Sequence, residues 1–119
     1  MNKEQIEKII ENLTKEGYHL ANKTVEDDLI KLDFGDCKFT FNFKNKPLLI
    51  ESVMPLDYRV TFDQDNVNFL NSITDYWEIY KHWITFNFTP KNEQELEATL
   101  KELLERRYET VSYTHLTLP

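Results

Sequence analysis

The sequence predicts an α+β domain in the order α-β-β-β-β-α-β-α, with an antiparallel meander sheet and its helices on one face. Three observations carry this. Apolar residues recur at helical spacing near both ends of the chain. Between them, short segments alternate apolar and polar residues with period two. Each alternating segment has a single apolar face, as antiparallel strands covered on one side require. The chain of 119 residues has two glycines and four prolines, and it contains no linker that would divide it.

The first helix is marked by Ile6, Ile9, Ile10 and Leu13 on one face. Asn2 is placed to cap it, and Gln5 three residues later completes a capping-box pattern. Gly17 stands where a left-handed residue ends a helix.

The strands follow. Ile30, Leu32 and Phe34 alternate with Lys31 and Asp33, and Phe39, Phe41 and Phe43 alternate with Thr40 and Asn42. Gly35-Asp36 between the runs suits a two-residue type II′ hairpin. That turn sets Phe34 opposite Cys37, Leu32 opposite Phe39 and Ile30 opposite Phe41. It also sets Asp33 against Lys38 on the other face. A one-residue slip would destroy both patterns. A second turn at Asn45-Lys46 would set Phe43 against Leu48 and Phe41 against Ile50. Tyr58, Val60 and Phe62 alternate as a fourth strand. Asp63 or Asp65 caps a second helix carrying Phe69, Leu70, Ile73, Trp77 and Tyr80, although Tyr76 to Tyr80 also reads as a strand. Ile84, Phe86 and Phe88 form the last strand, which ends at Pro90. Asn92 and Glu95 open a final helix lined by Leu96, Leu100, Leu103 and Leu104. Arg106-Arg107 then suit its negative end.

The chain ends Val111-Ser112-Tyr113-Thr114-His115-Leu116-Thr117-Leu118-Pro119. This segment resembles the translation of a transposase adapter used to prepare sequencing libraries, residue for residue in one frame. That frame also requires Ser, Pro, Thr or Ala just before it, and residue 110 is threonine. The resemblance implies that residues 1–109 are the domain, open to truncation at Glu109, and that 110–119 are a non-native tail. It also removes that tail from fold reasoning. A fresh genomic read that continues the frame without adapter sequence would overturn it.

Charge narrows the partners. Lys and Arg total 14 against 21 Asp and Glu, for a net charge of −7. Such a chain repels phosphate backbones and anionic membrane surfaces, so neither nucleic acid nor membrane is expected as a partner. The longest aliphatic run, Leu48-Leu49-Ile50, is far too short to span a bilayer. A lone cysteine and no signal-like start fit a reducing cytoplasm. Eleven of the 14 basic residues are lysine, which hints at an AT-rich bacterial or phage genome.

Chemical motifs are weak. Asp33-Phe34-Gly35 spells a kinase magnesium motif without the glycine-rich or catalytic loops that give it meaning, and the hairpin accounts for it. Asp63-Gln64-Asp65 starts like a calcium loop but lacks the later glycine and glutamate, so it reads as a helix cap. Glu26-Asp27-Asp28 reads as a solvated turn. His19 and His82 have no partner at zinc-ligand spacing, and Cys37 reads as a small buried thiol. No catalytic residue, metal or cofactor is therefore assigned.

The unusual segment is Tyr76-Trp77-Glu78-Ile79-Tyr80-Lys81-His82-Trp83. Its rings exceed what one buried face absorbs. Trp77, Tyr80 and Trp83 are expected in the core, with Tyr76 and His82 at the surface. Tyr and Trp favour interface hot spots, so Tyr76, Tyr80, His82 and Trp83 are the candidate binding residues. The functional expectation is a small acidic protein-binding, adaptor or chaperone-like domain that engages another protein or itself. The helix–sheet order loosely resembles that of small bacterial secretion-chaperone-like domains, but no motif carries the likeness and no residue role transfers. The alternative is a small enzyme with a site at Tyr76, Glu78 and His82.

Overall fold

A computed structural model of the chain describes residues 1–55 and 64–116, with residues 107–116 described as helical backbone. The elements are α1 (Lys3–Lys15), β1 (Asn22–Val25), β2 (Leu29–Asp33), β3 (Lys38–Asn42), β4 (Leu49–Pro55), α2 (Gln64–Ile73), β5 (Trp77–Tyr80), β6 (Trp83–Phe88) and α3 (Glu93–Leu116). The fold is α+β, with the strands in one antiparallel sheet ordered β1-β2-β3-β4-β6-β5. The first four strands form a meander. The β5–β6 hairpin then joins with its later strand innermost, against β4.

The sheet register is the one that its turns dictate. Across β2 and β3, Ile30 faces Phe41, Leu32 faces Phe39 and Asp33 faces Lys38. Gly35 has φ +97°, a conformation open mainly to glycine. Its N–H donates to Asp33 Oδ1 at 2.7 Å, and the Phe34 N–H donates to the Cys37 carbonyl at 2.8 Å, closing the turn. Phe41 faces Ile50 across β3 and β4. Ile30, Leu32, Phe39, Phe41, Ile50, Met54, Ile84, Phe86 and Phe88 are all buried on one face, and Phe43 packs at its margin. Cys37 is buried at this hairpin.

The helices cover that face. In α1 the capping box forms as expected: Gln5 N–H donates to Asn2 Oδ1, and Asn2 N–H donates to Gln5 Oε1. At the other end Tyr18 N–H donates to the Leu13 carbonyl and Gly17 N–H to the Thr14 carbonyl. This is a Schellman stop with Gly17 at φ +103°. Ile6, Ile9, Ile10 and Leu13 meet Leu96, Leu100, Leu103 and Leu104 in one apolar cluster. Polar side chains run beside that seam. Gln5 bonds Glu93, Asn12 bonds Glu97, Lys101 bonds Glu16 and Tyr18 bonds Glu105. Residue numbers rise together along this ladder, so α1 and α3 run parallel.

Four expectations change. The strand read at Tyr58, Val60 and Phe62, and the cap at Asp63, lie outside the described residues, while Asp65, the other cap read for that helix, lies within the first turn of α2. One strand absent from the sequence reading is present, β1. β1 has no apolar alternation because it is an edge strand with all four residues exposed, held by its ladder to β2. Glu26-Asp27-Asp28 is the turn between those strands. Helix α2 stops at Ile73, and Trp77–Tyr80 extends instead as β5. Finally, Arg106 is not at a helix end, because α3 continues to Leu116. Once nucleated, a helix extends at little cost into the residues that follow it. The Arg106 side chain instead joins α2 to α3.

Candidate functional site

The aromatic segment folds as the β5–β6 hairpin. Trp77 pairs with Phe86, Glu78 with Thr85, Ile79 with Ile84 and Tyr80 with Trp83. The turn is the two residues Lys81-His82, and Lys81 takes φ +54° at its first position.

Strand alternation sorts the side chains. Trp77 and Ile79 share the helix-covered face with Phe86 and Ile84. Glu78 and Tyr80 share the opposite, uncovered face with Trp83 and Thr85. Trp77 packs at the margin of the core, and its Nε1 donates to Asn71 Oδ1 on α2 at 2.9 Å. Thr74 fixes the α2–β5 connection: its Oγ1 donates to the Asn87 carbonyl at 2.6 Å. Tyr76 then starts on the uncovered face, with its Oη 3.3 Å from Glu78 Oε1.

The expected burial of Tyr80 and Trp83 is therefore corrected. Tyr76 is 70% exposed, Tyr80 67% and Trp83 40%, whereas Trp77 alone of the four rings packs inward. The reason is periodicity. Helical spacing would have put Trp77 and Tyr80 on one face, but strand spacing puts them on opposite faces. Pro55 pairs with Trp83 and Val53 with Thr85, so β4 extends the same surface. His82 is exposed in the hairpin turn, at the far end of β5 from Tyr76.

Ile79 escaped the sequence reading. It is 44% exposed on the helix side of β5, at the margin of the sheet. The alternation Trp77-x-Ile79 carried the signal, but helical spacing across Ile73, Trp77 and Tyr80 masked it.

An open cleft of about 660 Å³ lies at the Tyr76 end. Its lining includes Leu49, Asn71, Thr74, Tyr76, Glu78 and Asn87, and does not include His82. Of the residues in the enzyme reading, Tyr76 and Glu78 line this cleft, and His82 stands in the β5–β6 turn. A smaller hollow of about 300 Å³ at Glu26, Asp27, Asp28 and Lys44 is the β1–β2 turn. Among the described residues, no three His, Cys, Asp or Glu side chains are grouped to hold a metal ion, and no helix is long and apolar enough to cross a membrane.

Chemically, the hairpin presents three large amphipathic rings on a rigid ladder, rimmed by Glu78, Thr85 and Asn87. It offers area and hydrogen-bonding groups with little side-chain entropy to lose. Comparison of the chain with protein-family models, with curated proteins and with solved structures returns no match.

Proposed function

We propose that this chain is a non-catalytic protein-binding domain, of the adaptor or chaperone-like kind, that docks a protein on the uncovered face of the β5–β6 hairpin. The observation that supports it is the exposure of Tyr76, Tyr80 and Trp83 together on one side of one hairpin. Contiguous exposed apolar area on a small domain marks an interaction site more often than an accident of folding. Tyr and Trp are the residues that carry binding energy at such sites. The net charge of −7 favours a partner with a basic rim and disfavours nucleic acid.

The test is the double variant Tyr80→Ala/Trp83→Ala. Both side chains are exposed, so thermal stability should stay near that of the parent. Proteins captured by immobilised parent chain from a lysate of the source cells are compared with those captured by the variant. Lys31→Ala, on the same face of β2, is the control. Loss of captured proteins with the double variant alone supports the proposal. Identical profiles for parent and double variant overturn it.

A further inference from the structure

Arg106 shows how this chain holds a guanidinium. Its Nη1 lies 3.0 Å from Asp65 Oδ2 and 2.7 Å from Asn66 Oδ1, and the guanidinium lies 4.4 Å from the Phe69 ring centroid. Carboxylate, amide and aromatic face act together there. Such a set suits the planar charged fork of arginine better than a compact ammonium.

The open cleft at the Tyr76 end gathers the same three kinds of group again. Its lining includes the carboxylates of Asp75 and Glu78, the amides of Asn71 and Asn87, and the Tyr76 ring. The ring is largely exposed, and its Oη lies beside Glu78 Oε1. Among the described residues, no Lys, Arg or His lines the cleft, and Asp75 and Glu78 form no ion pair. We infer that the cleft receives an arginine side chain of the partner protein, its guanidinium on the Tyr76 ring and against Glu78 and Asp75.

Charge complementarity argues for this occupant. The two carboxylates repel an anionic group, and an apolar group would strip them of water without giving them a partner. The rest of the docking face steers a cation to the same end. At the hairpin turn Lys81 Nζ lies 5.3 Å from the Tyr80 ring centroid. On β3, Lys38 pairs with Val53 of β4 on the uncovered face. A basic residue placed over either lysine meets like charge, and one placed in the cleft meets opposite charge. The segment that follows β4 leaves it at Pro55, beside Trp83, at the other end of the hairpin from the cleft. The inference rests on the protein-binding proposal and deepens it by naming the group that the partner inserts.

The experiment titrates the full, isotopically labelled chain with N-acetylarginine N-methylamide and reads backbone amide shifts by NMR. The uncharged citrulline analogue is titrated alongside. The arginine compound should shift residues 71–78 and 85–89, which line or flank the cleft. The citrulline compound should bind roughly tenfold more weakly, because it lacks the charge. Asp75→Asn/Glu78→Gln should weaken the arginine compound roughly tenfold, and Glu4→Gln/Asp27→Asn, which removes two charges elsewhere, less than about twofold. Tyr76→Leu should weaken it, and Tyr76→Phe should keep it. Circular dichroism checks that each variant folds. In the capture from lysate, Asp75→Asn/Glu78→Gln should lose the proteins whose capture depends on Tyr80 and Trp83.

Absence of saturable shifts, equal binding of the two compounds, or equal weakening by the two double variants overturns the inference. Tighter binding by Arg59→Gln would mean that the chain's own arginine occupies the cleft, and overturns it too. Binding of the small compound with capture unchanged in Asp75→Asn/Glu78→Gln would assign the cleft to a free guanidinium compound and overturn the partner's arginine. Capture that needs Tyr80 and Trp83 survives each of these results, so the two proposals fail separately.

Discussion

Arg106 on α3 reaches Asp65 on α2, with Nη1 3.0 Å from Oδ2. The same nitrogen donates to Asn66 Oδ1 at 2.7 Å, and the guanidinium lies 4.4 Å from the Phe69 ring centroid. Glu102, one turn back on α3, holds Nη2 at 3.0 Å. A planar fork meets three acceptors and a ring face at once, which an ammonium does not reproduce. Helix α2 buries only Leu70 fully, so this clamp is a large share of its attachment.

Arg106→Ala should therefore lower stability by about 2 kcal/mol, from a charge-assisted hydrogen-bond set and a cation–π contact together. Arg106→Lys should restore less than half. Urea unfolding measures both. Hydrogen exchange should locate the loosening in α2 rather than in α1. Equal stability of the Lys variant and the parent would show that charge alone suffices.

Gly17 and Gly35 both have positive φ, and an added Cβ would meet nothing within 4 Å at either. Any cost of Ala there is backbone strain alone. Gly35→Ala and Gly17→Ala should each lower stability by about 1–2 kcal/mol. Asn, which tolerates left-handed backbone better, should cost less at Gly17. Thermal melts of the three variants check the order.

Ser52 is 2% exposed on the core face of β4, between Phe39 on β3 and Phe86 on β6. Its Oγ finds no hydrogen-bond partner among the described residues. A buried hydroxyl without a partner costs stability. Ser52→Ala should leave stability unchanged or raise it by up to about 1 kcal/mol, measured by urea midpoint at constant m-value. A clear loss would show that the hydroxyl is bonded.

Lys101 is held above the ordinary lysine value of 10.5, first by its hydrogen bond to Glu16 and then by the negative charges of Glu16 and Glu97. The amine is 2.8 Å from Glu16 Oε1 and 3.5 Å from Glu97 Oε2. A raised folded-state value means the contribution is full below the unfolded value and is lost as pH climbs through the folded one. Stability of the parent relative to Lys101→Met should be flat from pH 7 to about 10 and should fall only above that. A difference that changes between pH 7 and 9 would assign the effect to another group.

Several elements were legible because local chemistry and global packing agreed. The Asn2–Gln5 box, the Gly17 stop and the Gly35-Asp36 turn are each local, and each coincides with the hydrophobic period of its neighbours. β1 was not legible because an exposed edge strand needs no apolar side chain, only a partner ladder. The Tyr76–Trp83 segment satisfied two periods at once, so the candidate residues Tyr76, Tyr80, His82 and Trp83 were named before their faces were known.

By itself the sequence determined the fold class, the β2–β3 register and the caps of α1, since these depend on residues close along the chain. It also set the net charge of −7. Only the tertiary structure decided that β6 inserts between β4 and β5, that Arg106 clamps α2, and that Tyr80 and Trp83 turn outward. Those outcomes depend on which distant surfaces compete to cover each other. Such long-range competition is settled by packing over the whole sheet, and no local window of residues contains it.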